Sequence, residues 1–337
     1  MSLALQRIRR LLETRSPTTV ARAATRAIEL RRATRRLEAA LASDRPLVVG
    51  PFLGELGYEL LYWRPYVLRL LRSHAVDPER VTVVGRGGTG AWYNAVAARH
   101  VDAFDLLPAD DVLAGIEDRV ARTGQRKQLA PDPLDSELQR RAAPGPGFAA
   151  VHPLHMFWGA RFAWEGLVPS AEAVAGADHE PLPALDPPSE VVERLPERFL
   201  VLKAYFNECV PDTATSRAGY AALLEELAVE RPVVVLHPPL RADDHLDWEP
   251  PAGVVRIDDL LRPATNLAVQ AAVVARAEKL VATYGGFAYL GPYLGVPTVA
   301  VGEPAGENRR HEAVLRAAWP DASWERIVLP TLAHSQR

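Results

Sequence analysis

The sequence predicts an α/β protein made of two series of βα units with parallel sheets, joined by a proline-rich segment and preceded by a basic helical arm. Three observations predict it. Short β-branched runs alternate with segments of helical period, the pattern that crossover-linked parallel strands leave in a chain. Several of these runs end in glycine-rich turns, where open α/β sheets place their ligands. Between the two series, residues 176–198 gather Pro181, Pro183, Pro187, Pro188 and Pro196 among acidic residues, which marks a joint. The expected domains are the arm 1–45, an N-terminal Rossmann-like domain 46–185 and a C-terminal one 196–320. With 337 residues, 48% hydrophobic and 24% charged, the chain can bury two cores.

In the arm, Leu5, Ile8, Leu11 and Leu12 recur at helical spacing, as do Ala27, Leu30, Ala33, Leu37 and Leu41; Pro17 divides it into two helices. Residues 1–44 hold ten arginines and four acids, a net +6, whereas the whole chain carries −3, so the body is acidic. A basic amphipathic helix suits an anionic membrane surface, and equally a helix packed on protein. The first series opens with the buried strand Leu47–Phe52, the loop Leu53–Gly57 and a helix from Tyr58 to Arg72. Glu55, between Gly54 and Gly57, sits at a strand's carboxyl end; it is a candidate site acid or a helix cap.

The strand Val81–Gly85 leads into Arg86-Gly87-Gly88-Thr89-Gly90, a turn able to bind an anion or sugar through Arg86, or to serve only as a surface turn. Asp105–Leu113 reads as a short strand and loop, Ala114–Arg122 as a helix, and 123–147 as connection. The region 149–159 is aromatic; His155 and Trp158 are candidate pocket walls, and His152 and His155 lack the spacing of a helical zinc motif.

The second series begins with Phe199–Phe206. Lys203 stands at a strand's end, where an ammonium can meet a phosphate or snorkel to water. Asn207, a loop Glu208–Ser216, a helix Arg217–Arg231, a strand Pro232–His237, a strand Val254–Ile257 and a helix Thr265–Ala277 bearing Asn266 and Gln270 follow. Then comes Val281-Ala282-Thr283-Tyr284-Gly285-Gly286, a strand ending in two glycines before a short helix and the Gly295-Val296-Pro297 turn. Such a turn lets backbone approach a ligand, and the helix aims its free N–H groups and positive dipole end at it, which suits a diphosphate. Residues 303–320 are helical and expected to pack back across the joint.

The single cysteine, Cys209, excludes an intrachain disulfide framework and a cysteine zinc cluster, and fits a reducing compartment. No apolar run approaches the ~20 residues of a membrane span, and the N-terminus lacks the apolar core of a secretory signal. The acidic body argues against nucleic acid. The Asp pairs 110–111, 243–244 and 258–259 are adjacent rather than spaced as Asp-x-Asp, so neither metal nor cofactor is expected.

Two Rossmann-like halves with a Gly-Gly turn before a short helix in the second resemble glycosyltransferases of the GT-B fold. The segment Asn266, Gln270, Ala277, Val281–Gly286 and Gly295–Pro297 is similar in layout to the donor region of bacterial heptosyltransferases and, more distantly, to GT-B fucosyltransferases. The resemblance spans residues 46–320. It implies an inverting, metal-independent transfer from a nucleotide-sugar donor to a carbohydrate or lipid-linked hydroxyl, in glycan or cell-surface polysaccharide synthesis. A cytoplasmic location is expected, and the basic arm 1–44 would set the protein at the inner membrane face. Gly54-Glu55 stands where the heptosyltransferases carry their catalytic acid, with Glu in place of the common Asp. Thr283, Tyr284, Gly285 and Gly286, aided by Lys203, would hold the donor diphosphate, His237, Asn266 and Gln270 the nucleoside, and Asn207 would also bind the donor. Arg86, Gly87, Gly88, His155 and Trp158 have no counterpart in the resemblance; from their residue types they are candidates to meet the acceptor or an anion. No Glu-x7-Glu motif of the retaining type appears around 303–311, which favours inversion. A nucleotide-sugar 2-epimerase and a non-catalytic nucleotide- or sugar-binding module are the alternatives, because fold does not fix chemistry.

Overall fold

The computed structural model describes residues 32, 34–124, 126–157, 178–183, 186–238, 240, 245–302 and 308–329. In chain order the strands are β1 (Leu47–Val49), β2 (Val81–Gly85), β3 (Arg99–Asp102), β4 (Ala149–Val151), β5 (Leu200–Lys203), β6 (Tyr205–Phe206), β7 (Val233–Val235), β8 (Leu246–Asp247), β9 (Val255–Arg256), β10 (Lys279–Thr283), β11 (Thr298–Val301) and β12 (Trp324–Ile327). They form a four-stranded sheet in the order β3-β2-β1-β4 and a six-stranded sheet in the order β12-β11-β10-β5-β7-β9, with every pairing parallel. β6 and β8 make a separate antiparallel pair. Central strands read as unbroken apolar runs because both faces are covered, as in Leu47-Val48-Val49, all fully buried.

The first helix, α1, runs Leu56–Tyr58, passes through a π-helical stretch Glu59–Trp63 and continues as Arg64–Ser73. The Arg64 N–H bonds the Glu59 carbonyl, five residues back, which widens the turn that follows the Glu55 loop. α2 covers Ala109–Thr123 and α3 Pro133–Ala142. In the second half α4 is Ala214–Glu230, capped by Thr213; α5 is Asn266–Ala275, α6 Gly286–Leu294 and α7 Asn308–Ala318.

Four expectations need correction. The third strand lies at Arg99–Asp102, not at Asp105–Leu113; its Arg99 and His100 are exposed at a sheet edge, so no apolar run marks it. Residues 123–147 are not mere connection: α3 buries Asp135 and Leu138 against the first sheet, with Asp132 capping through the Asp135 N–H at 2.9 Å. The second sheet passes residue 320 and ends with β12. Pro292 inside α6 has no N–H for the Ala288 carbonyl, and Trp324 of β12 supplies the donor through Nε1 at 2.9 Å. The 176–198 joint, in its described part, is packed rather than loose. Arg64 donates to the carbonyls of Trp92, Glu180 and Pro181, and the Leu182 N–H bonds the Tyr293 carbonyl of α6 at 2.9 Å.

One contiguous apolar core draws from both sheets, including Leu47 and Val49 from the first and Val201, Leu280 and Ala282 from the second. Tyr293 Oη donates to the Leu60 carbonyl at 2.7 Å, and His311 of α7 bonds Tyr62 of α1 at 2.7 Å, so the late helix does return across the joint. The arm is described only from residue 32. Its last turns, 34–41, bury Leu37 and Leu41, and Arg80 holds the carbonyls of Ala40 and Leu41. Its earlier helices and membrane contact lie outside the described residues. Among those described, no helix is long and apolar enough to cross a membrane.

Candidate functional site between the two sheets

Two helix N-termini, one from each sheet, meet at the carboxyl ends of the strands. Glu55 occupies the N-cap position of α1 with extended φ/ψ, but its side chain makes no capping bond; its backbone carbonyl takes the N–H groups of Tyr58 and Glu59. The cap reading of the Glu55 carboxylate is thereby set aside. Opposite, α6 starts at Gly286 after Gly285, whose φ of +148° and contact with Tyr205 Oη (2.5 Å from any added Cβ) admit only glycine. The two helix starts touch through glycine: a Cβ on Gly286 would fall 2.6 Å from the Gly57 nitrogen, and one on Gly57 would fall 3.2 Å from the Gly286 Cα. The first α6 N–H with a helical acceptor belongs to Tyr289, so those of Gly286, Phe287 and Ala288 remain for a ligand. Positive ends of two dipoles therefore face one crevice beside a carboxylate.

Glu55 and Gly286 stand between two cavities and line both, together with His245. The smaller, ≈ 60 Å³, also takes in Arg86, Lys203, Asp247, Asn266, Gln270 and Phe287. The larger, ≈ 300 Å³, is walled by Tyr58, Lys127, Asn207, Glu208, Gly285 and His311, among others.

Besides backbone bonds from the Gly50 N–H to the Val151 carbonyl and from the Phe52 N–H to the Val84 carbonyl, the Glu55 loop is held by side chains. Gln139 Nε2 donates to the Gly50 carbonyl, Gln128 Nε2 to the Pro51 carbonyl, and the Leu53 N–H donates to Gln128 Oε1. Arg86 clamps the Gly54 carbonyl with Nε and Nη2 at 3.1 and 2.7 Å. Gln128 in turn is fixed by Asp135, which also accepts from Arg119 and His152. His152 Nδ1 accepts the Leu154 N–H, so its proton sits on Nε2 and points at Asp135. Sequence reasoning missed Gln128, Gln139, Asp135 and Arg119, because they come from α2, α3 and the segment read as connection. Arg119 and Asp135 are nearly fully buried, which requires such pairing.

Of the expected site residues, Glu55, Arg86, Lys203, Asn266, Gln270 and Gly286 come together in one chamber, and Asn207, Tyr284, Gly285 and Gly286 line the other. Several have structural work that accounts for them. Thr283 Oγ1 is spent on Tyr205 and Tyr220, and the Tyr284 N–H on the Val301 carbonyl at 2.7 Å, so neither is free for a diphosphate. Asn207 Oδ1 accepts from Cys209 and Val210 while Nδ2 donates to the Tyr284 carbonyl, which shapes the loop. Gly87 and Gly88, at φ +64° and +86°, form a packing joint: added Cβ atoms would strike Leu267 and Ala268 of α5, the Gly87 carbonyl takes the Ala268 N–H, and Asp102 takes the Gly88 N–H. They are no anion nest.

His237 lies outside both cavities, pairing with Glu249 at 3.1 Å. His155 also lines neither; burial pushes it down to about 4, so it is neutral. Trp158 lies outside the described residues. Lys203 is nearly buried and ion-paired with Asp247, over the ring of Phe287 at 5.6 Å. Asp247, Lys127, His245 and His311 were not foreseen; Asp247 lies on, and His245 just before, a two-residue strand too short to read from sequence. Among the described residues no group of three or more His, Cys, Asp or Glu side chains is placed to hold a metal ion.

Two further acids, Glu59 and Asp102, are raised by burial. Glu59, fully buried on the π-helical stretch, is pushed up to about 7 by burial; Tyr93 Oη donates to it at 3.1 Å. Asp102 is likewise raised to about 7 by burial, against the two N–H groups it accepts.

No protein-family model matches the sequence, and no curated protein is significantly similar to it. Among solved structures the chain is similar to an iron-containing dodecameric glycosyltransferase of enterotoxigenic E. coli, at 14% identity over 77% of this chain and TM-score 0.42; it spans 58% of that protein's length. It is also similar to a family 9 glycosyl transferase of Veillonella parvula (16% identity, 84% of this chain and 86% of that one, TM-score 0.43). A third is the ADP-heptose lipopolysaccharide heptosyltransferase II of E. coli (14%, 83% and 89%, TM-score 0.45). These likenesses are distant, and the two parallel sheets with a crevice at their strand ends are what define the fold.

Proposed function

We propose that the protein is an inverting glycosyltransferase that moves a sugar from a nucleotide-diphosphate donor to a hydroxyl acceptor without a metal ion. The observation that carries this reading is the meeting of the Glu55 carboxylate with the first turn of α6 from the other sheet, in a crevice both share. Glu55 takes the proton of the acceptor hydroxyl as that oxygen attacks the anomeric carbon. The bond from that carbon to the diphosphate oxygen breaks, and the electron pair leaves with the diphosphate. The N–H groups of Gly286, Phe287 and Ala288, with Lys203, receive the growing charge in place of a metal. Arg86, Gln128 and Gln139 act as positioning residues by fixing the loop that carries Glu55. The acceptor we assign to carbohydrate or lipid-linked hydroxyls, reached through the larger cavity, and residues 1–44 to an anionic membrane surface.

A thermal-shift panel of nucleoside diphosphates and nucleotide sugars tests the reading. At ~100 Kd a ligand of the folded state adds about 2.7 kcal/mol. At least one nucleotide sugar should raise the melting temperature; no response from any nucleotide would remove the donor site. With a donor in hand, NMR of the product should show the anomeric configuration opposite to the donor's, and retention would reject inversion.

A further inference from the structure

Gln270 is wholly buried, yet its Oε1 has no hydrogen-bond partner. Its Nε2 donates to Asn266 Oδ1 at 2.7 Å and toward the Asn266 backbone carbonyl at 3.3 Å. That carbonyl fixes the amide orientation, because a flipped Gln270 would set oxygen against oxygen. Asn266 Oδ1 is thus occupied, and its Nδ2 is the atom left to donate. The pair presents an acceptor beside a donor to the small chamber. Charged and polar groups of Glu55, Arg86, Lys203, His245 and Asp247 line the chamber beside the apolar surfaces of Leu56, Tyr205, Leu267 and Phe287. Such a mixed lining suits a pyranose ring, with hydroxyls at its rim and C–H groups on its faces, and the chamber includes both Glu55 and Gly286 at the α6 N-terminus.

Building on the transferase reading, we propose that Gln270 Oε1 and Asn266 Nδ2 bind a vicinal pair of hydroxyls on the sugar being transferred, one donating to Gln270 and its neighbour accepting from Asn266. The two residues then select the sugar, not the nucleoside. A donor lacking either hydroxyl leaves a buried amide atom unpaired, which costs roughly tenfold in affinity.

The test is calorimetry on the full chain with nucleoside diphosphates, the matching nucleotide hexoses and heptoses, and their monodeoxy forms. The wild type should bind one nucleotide sugar more tightly than its diphosphate and lose roughly tenfold on removal of either of two adjacent hydroxyls. Gln270→Met and Asn266→Asp should lose that sugar increment, keep the diphosphate affinity, and no longer discriminate the deoxy forms. Equal loss for diphosphate and nucleotide sugar in the variants would overturn the proposal while leaving the transferase standing. So would a wild type indifferent to every deoxy form, a readout that does not depend on the variants folding. Failure of the wild type to bind any nucleotide would overturn both.

Discussion

Replacing Gly286 by alanine adds one methyl group where the two halves touch. The new Cβ would lie 2.6 Å from the Gly57 nitrogen, 3.1 Å from Leu56 Cβ and 3.3 Å from Gly57 Cα. Two of these are backbone atoms at the start of α1, which cannot swing away as a side-chain tip would. Relief to an ordinary ~3.4 Å contact therefore moves one helix start by about 0.8 Å. Gly286 has no positive φ, so alanine meets no backbone strain and gains helix propensity of up to about 1 kcal/mol. Overpacking of this kind costs ~1–3 kcal/mol, which leaves a net loss of about 1 kcal/mol in stability. The effect on chemistry is larger, because a displacement near 1 Å between base and leaving group costs ~10²-fold in turnover. Calorimetric melting and steady-state transfer from the donor found by the thermal panel would measure both. An alanine variant with wild-type turnover would refute the close contact of α1 and α6 as the device that sets Glu55 against the diphosphate.

Three further outcomes follow from the same geometry. Glu59 carries a proton more tightly when folded, so its contribution to stability is full below about 4.5, falls as pH rises toward about 7, and is then constant at its lower value; Glu59→Gln should gain on the wild type across that window by at most about 3 kcal/mol, and a pH-independent difference in melting temperature would refute the raised acid. Lys203→Ala removes the crevice ammonium and leaves Asp247 unpaired, so nucleoside diphosphate affinity should drop while nucleoside affinity holds, with Asp247→Asn restoring part of the loss in the double variant; equal loss for both ligands would reject the phosphate role. Gln128→Ala strips partners from Leu53, Pro51 and Asp135, and should cost about 3 kcal/mol in stability and lower turnover with donor affinity unchanged; unaltered turnover would show that the Glu55 loop holds itself.

The sheets were legible because their central strands are unbroken apolar runs, and the glycine turn because Gly285 and Gly286 sit where an added Cβ would fall 2.5 Å from Tyr205 Oη and 2.6 Å from the Gly57 nitrogen. The approach of Glu55 to Gly286 could be expected from strand ends alone, since parallel sheets gather their carboxyl-end loops on one side. What escaped the sequence has a common physical cause. β3 and β8 are short and edge-exposed, so no periodicity marks them. The network of Arg119, Gln128, Asp132, Asp135 and His152 is built from polar residues scattered over α2, α3, the loop between them and the turn after β4, and polar residues in a sequence read as surface until their partners are known. The turn Arg86-Gly87-Gly88 misled for a related reason: three residues suited to anion binding are used to clamp Gly54 and to admit α5 closely. Lys203 was found, but Asp247, its partner, lies on a strand of two residues.

The central claim is that Glu55 is the base of a transfer whose leaving group rests on α6. Transfer by Glu55→Gln, measured beside its affinity for the same nucleotide sugar, tests this most directly. Donor affinity should equal that of the wild type, because the amide keeps the size and position of the side chain, and turnover should fall by ~10²–10⁴-fold. Undiminished turnover in that variant would contradict the claim.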